Sequence, residues 1–254
     1  IIQALFCLLF LNIQYPRNLD VFLKLFKVGT MKFIPNPFAW IIDDYKSETV
    51  ECPFRFMVNG FDGLFLKNTG QFILFFLILG IIHVISMMLI SMEGSVSRMA
   101  KKVKENLGLN LAFKILIASS LVLLLSLVLQ LAHADWNSTF KIISRMFCFV
   151  LLAAFLIILA IDLIVYHRMK IEPSKKLLQR MMKKYEILFE GFIASRKKPA
   201  KPFLVVVVLR RIFSIVFLVV LYDYPIFQSL TQGFLTLVYL VLLIVTKPYA
   251  VKEE

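Results

Sequence analysis

"QFILFFLILGIIHVISMMLISM", residues Gln71 to Met92, contains no Asp, Glu, Lys or Arg, and His83 is its one titratable side chain. A bilayer core about 30 Å thick asks for about 20 predominantly apolar residues per helical span. This stretch meets that length, and a helix satisfies its own backbone where no water can. Further apolar runs cover Leu109 to Ala132, Met146 to Tyr166, Phe203 to Tyr222 and Ile226 to Thr246, with a shorter one at Ile1 to Ile13. The whole chain is 60% hydrophobic over 254 residues, with 25 Phe, whereas soluble domains are about half apolar. The expected fold is an all-α polytopic transmembrane helix bundle of about six spans, the first incomplete.

A net charge of +13 would suit nucleic acid in a soluble protein. Here the basic residues fall between the apolar runs, where they set topology against the cytosolic leaflet, so a nucleic-acid partner is not expected. Arg98, Lys101, Lys102 and Lys104 follow the second span, and residues 167–202 after the fourth are richer still. Both loops are expected in the cytosol, with the C-terminal "KPYAVKEE". The resulting organisation is a partial span (1–14), an extracellular interfacial segment (15–70), three spans with short loops (71–166), a cytosolic helix (167–202), and a helical hairpin with its tail (203–254). "NST" at Asn137 to Thr139 is an N-glycosylation acceptor in a loop that the charge rule independently puts outside. The chain is apolar from position 1, without a basic leader or cleavage-type site. It therefore reads as beginning inside a membrane helix, as a piece of a longer protein rather than with a signal peptide.

Two non-spanning segments have their own periodicity. In "NLDVFLKLFKVGTMKFIPNPFAWIIDDY", Phe22, Leu25, Phe26 and Gly29 fall at helical spacing before Pro35 and Pro37 interrupt it. This segment is expected along the outer interface, with Trp40 and Tyr45 at headgroup level. In residues 174–192, Leu177, Leu178, Met181, Tyr185, Leu188, Phe189 and Phe192 make an apolar stripe opposed by Lys176, Arg180, Lys183 and Lys184, with Ser174 at the N-cap. A basic amphipathic helix of this kind binds anionic inner-leaflet lipids or a partner, or packs as a connector under the bundle.

Ionisable groups inside spans pair with one another, face a bundle interior or line a pathway. Here they are His83, Lys114, Asp162, Arg210 and Arg211. Asp162 and Arg210 lie about 6 and 10 Å from the cytosolic ends of their own spans, Tyr166 and Phe203, at 1.5 Å per residue. That depth permits an ion pair between Asp162 and one arginine, either docking two helices or forming an ion site, while the other arginine snorkels to the headgroups. The corner "YDYP" is too short for a re-entrant pore filter, adjacent arginines do not repeat as a voltage sensor does, and no span is interrupted by Gly or Pro in matching halves. No phosphate-binding loop, zinc spacing or nucleophile elbow is present, so neither enzymatic activity, a metal nor a cofactor is expected. The three cysteines form no disulfide framework.

Several strings resemble, in order, the C-terminal multi-pass region of very large cysteine-rich ciliate surface proteins, itself similar to a TRP-like membrane domain. They are "LNIQYPRNLDVFLKLF", "KFIPNPFAWI", "ECPFRF", "FLKNTGQFILFFLILG" and "RRIFSIVFLVVLYDYPIFQSLTQGFLTLVYLVLLIVTKPY", strongest at Tyr224 to Gln228 and Val238 to Tyr249. The resemblance implies a cysteine-rich ectodomain upstream, with which Cys52 forms an extracellular disulfide, and other membrane subunits as partners. It implies either an anchor and assembly module of a surface recognition or adhesion complex in the plasma or ciliary membrane, or a cation-conducting subunit. A channel would line a continuous wet path with its polar side chains, and an anchor would use each in a local bond.

Overall fold

The computed structural model describes residues 2–25, 34–44, 50–91, 95–106, 109–133, 136–171 and 203–246. Among these residues all regular structure is helical. The basic helix expected around Lys176, Arg180, Lys183 and Lys184, with Tyr45 and the C-terminal tail, lies outside them.

Five long helices build the bundle: α5 (Phe65–Ile90), α7 (Leu109–His133), α8 (Thr139–Ile171), α9 (Phe203–Val220) and α10 (Pro225–Thr246). Four segments among the described residues are long and apolar enough to cross a membrane: Phe65–Ile90, Lys114–His133, Thr139–Ile164 and Pro225–Val245. Helix α9 is not among them. Its 18 residues reach about 27 Å at 1.5 Å each, and they carry Arg210 and Arg211. The first apolar run forms only α1 (Ile2–Leu8), too short to span. It turns at Leu9 and Phe10, both fully buried.

Helix α7 is the axis. It packs against α5, α8 and α9, whereas α10 leans mainly on α9. Leu121 to Leu127 are buried continuously, and this needs close neighbours. Ser119, Ser120 and Ser126 permit them: each is small, and each hydroxyl donates back to a carbonyl of its own helix, those of Ile115, Ile117 and Val122. A buried serine bonded in this way adds no unsatisfied donor to the core.

The described residues between α1 and α5 fold into a cap over one end of the bundle, with α2 (Arg17–Lys24), α3 (Pro37–Asp44) and α4 (Phe54–Val58). Phe10 stacks on Phe56 at 5.3 Å and meets Phe61 edge-on at 5.3 Å, so an aromatic core continues from the bundle into the cap. On α2, Leu23 points inward, because α2 packs chiefly on α1, while Phe22 and Leu25 are exposed; Phe26 and Gly29 lie outside the described residues. Beyond the other end of α5 lies a helix not foreseen from sequence, α6 (Ser95–Asn106). It packs back on α5, with the Ser97 hydroxyl donating to the Ile90 carbonyl at 3.1 Å.

Candidate functional site: polar residues inside the bundle

Helix α9 sends its adjacent arginines in different directions, as residues about 100° apart must go. Arg211 is buried and turns to α7, where Nη1 donates to the Ile117 carbonyl at 2.5 Å and to the Ser120 hydroxyl. Arg210 turns to α10 and places its guanidinium 4.3 Å from the centre of the Tyr239 ring. A guanidinium over an aromatic face is attracted by the ring quadrupole, more so where water is excluded.

The contact seen at Asp162 runs to backbone rather than to an arginine. Asp162 is 2% exposed on α8 and accepts a hydrogen bond from the Val205 backbone N–H, in the first turn of α9. The first four N–H groups of a helix lack partners within it, and they carry the positive end of its dipole. A carboxylate supplied by α8 therefore caps α9 and docks the two helices without needing an arginine. Oδ2 of Asp162 has no hydrogen-bond partner among the described residues. Asp162→Asn keeps the acceptor oxygen and should leave the thermal midpoint in detergent close to wild type. Asp162→Leu strands a buried N–H and should cost about 1–3 kcal/mol. Equal midpoints for the two variants would remove the capping role.

His83 is half-exposed on α5, and Lys114 is exposed on α7. Neither is among the buried residues.

The most connected polar groups are glutamines that the sequence reading passed over. Gln130 and Ser144 cap the first turn of α5, whose own N-cap residue, Leu64, has no side chain fit for the task. Gln130 Oε1 accepts from the Phe65 N–H at 2.8 Å and from the Ser144 hydroxyl at 2.8 Å, and Ser144 Oγ accepts from the Leu66 N–H at 3.2 Å. Gln228 and Gln232, one turn apart on α10, donate to the Leu218 and Ser214 carbonyls of α9 at 2.7 and 2.5 Å. Gln228 also accepts the Asn12 N–H at 2.8 Å, and the Asn12 amide donates to the Tyr222 carbonyl at 3.0 Å. The chain after α1 is thus tied to the α9–α10 corner. The signal available in the sequence was the i, i+4 spacing of two carboxamides in an otherwise apolar run.

In the cap, Arg55 lies 5.1 Å over the Tyr15 ring and 3.8 Å from Asp20, and its backbone N–H donates to the Tyr222 hydroxyl at 3.1 Å. Burial pushes the Tyr15 phenol above its ordinary value, opposed in part by the Arg55 charge. Cys52 is 5% exposed, and its thiol donates to the Phe61 carbonyl at 3.3 Å. Within this chain the sulfur faces the core of the cap. Burial first, and the Asp62 charge second, push the thiol from 9.0 up to about 12. In the unfolded chain the thiol ionises near its ordinary value. The stability Cys52 contributes is therefore fully present below about pH 9 and is lost as pH rises toward 12. Maleimide should label Cys52 only after denaturation, and rapid native labelling at neutral pH would contradict its burial.

Asn137 is exposed in the short connection before α8, beside Trp136, whose ring carries the Arg145 guanidinium at 4.0 Å. Among the described residues no three His, Cys, Asp or Glu side chains converge as a metal site. No known protein family, no curated protein and no solved structure matches the chain.

Proposed function

We propose that this chain is the membrane anchor and assembly module of a large cell-surface protein, a subunit of a recognition or adhesion complex in the plasma or ciliary membrane. In this reading the first apolar run belongs to a further span and α9 also crosses the bilayer. The bundle then has six TRP-like spans, the cap is extracellular, and the C-terminus is cytosolic.

The supporting observation is the use made of the interior polar groups. Arg211, Asp162, Gln130, Gln228 and Gln232 each bond to backbone or to a serine on a neighbouring helix. Such bonds fix how helices meet. A conduction path instead needs side chains that exchange their partners for a passing ion.

Reconstitution decides between the two. The chain in planar bilayers should give no unitary currents under a cation gradient, and an N-terminally fused reporter should be displayed on the cell surface and resist alkaline extraction. Cation-selective openings altered by Arg210→Gln or Arg211→Gln would replace the anchor with a channel. Sidedness is read separately. Protein made in a secretory host should lose mass on glycosidase treatment, and Asn137→Gln should abolish that loss.

A further inference from the structure

The cap and the first turns of α5 enclose an open cavity of about 610 Å³, within the roughly 300–1,000 Å³ range of small-molecule sites. Its walls are built before any ligand arrives. The Asn36 carboxamide accepts the Phe38 and Ala39 N–H groups at 3.1 and 3.2 Å, and donates to the Leu66 and Lys67 carbonyls at 3.2 and 2.8 Å, pinning α3 across α5. Asn68 exchanges two bonds with the backbone of Asp62 at 2.8 and 2.6 Å. Phe61 contributes a buried apolar wall, and Trp40 stands at the rim, 67% exposed.

The charges lining this cavity among the described residues are one of each sign, Asp62 and Lys67, whose Oδ2 and Nζ lie 3.4 Å apart. A lining with no net charge and carboxamides at Asn36, Asn68 and Gln71 is matched to a dipolar guest rather than to an anion. The cavity also opens at one end of an apolar helix. Lys67, Gln71, Leu74, Ile78, Ile81 and Ile85 follow at steps of three and four, which keeps them on one face of α5. Ile78, Ile81 and Ile85 on that face are all exposed.

From these observations we infer that the cavity seats the headgroup of a zwitterionic phospholipid from the leaflet beside the cap, with an acyl chain lying along the exposed face of α5. The phosphate lies toward Lys67. The ammonium lies toward Asp62 and the Trp40 ring, which attracts a cation over its face. The inference rests on α5 being a membrane span.

Trp40 is a built-in reporter once Trp136→Phe removes the other tryptophan. The variant in a maltoside detergent is titrated with dihexanoyl phosphatidylcholine below its own micelle concentration, with dihexanoyl phosphatidylglycerol, and with phosphocholine alone. A saturable change in Trp40 emission is expected, at least tenfold tighter for phosphatidylcholine than for either other probe. Lys67→Gln and the cavity-filling Ala39→Leu should each weaken it at least tenfold, the second without touching a charge. Equal affinities for the two lipids, or no saturable change, overturns the site. Phosphocholine binding as tightly as the lipid overturns the role of the α5 face. Alkaline extraction is run in parallel, so a chain that remains in washed membranes without a Trp40 response loses this site and keeps the anchoring role.

Discussion

Gln130→Leu lowers the thermal midpoint of the detergent-solubilised protein. The side chain is fully buried, and leucine fills a similar volume, so lost hydrogen bonds rather than a cavity carry the effect. Without Oε1, the Phe65 N–H at the start of α5 has no partner, because Leu64 before it offers no side-chain cap. A buried donor left unpaired costs about 1–3 kcal/mol. The Ser144 hydroxyl loses its acceptor as well, although a helical serine can turn back to a carbonyl of its own preceding turn. The fall should therefore be nearer one donor's cost than two. Ser144→Ala strands the Leu66 N–H and removes the hydroxyl that donates to Gln130, and should cost a similar amount. The double variant should fall short of the sum of the two single losses, since both changes open one network. Strictly additive losses would show that Gln130 and Ser144 do not act together in capping α5.

The apolar runs made the long helices legible, because period and length are properties of the sequence alone. Helix α7 begins at Leu109, as its composition indicates, and ends within a residue of the expected point. Helix α5 begins at Phe65 rather than Gln71. The six residues between include Lys67, Asn68 and Thr69, which read as a loop until Gln130 and Ser144 of other helices supply the missing cap. Tertiary capping of this kind leaves no local signature.

The polar interior was legible as residues and not as partnerships. Arg210, Arg211 and Asp162 stood out for their charge, yet charge alone favoured an ion pair between them. In the structure the nearest unsatisfied groups were backbone ones: the Ile117 carbonyl for Arg211 and the Val205 N–H for Asp162. Helix termini and serine-bearing turns present such groups wherever helices cross, and a single sequence does not say which helices cross. The burial of Cys52 leaves no mark in its neighbours Glu51 and Pro53, because it is the cap that folds Phe56 and Phe61 around it.

Two glycines on α5 test that packing with changes of opposite sign. An alanine Cβ at Gly80 would meet nothing within 4 Å, so Gly80→Ala acts only through helix propensity and should be neutral or stabilising by up to about 1 kcal/mol. At Gly70 the Cβ would overlap Asn36 Oδ1 outright and come within 2.8 Å of Phe38 Cδ2. Asn36 is a side chain and can move, but moving it gives up its bonds to the first turn of α3 and to the Leu66 and Lys67 carbonyls. Loss of an N-cap costs about 0.5–2 kcal/mol, and forced overpacking about 1–3 kcal/mol more, so the propensity gain is outweighed. Gly70→Ala should lower the thermal midpoint and expose α3 to protease, with Gly70→Val more severe. The decisive comparison is Gly70→Ala placed on Asn36→Ala. With Asn36 truncated, the overlap with its Oδ1 is gone and the cap is already lost, so the added glycine change should cost well under half of what it costs alone. An undiminished cost in that background would mean that Gly70 is required by something other than its contact with Asn36.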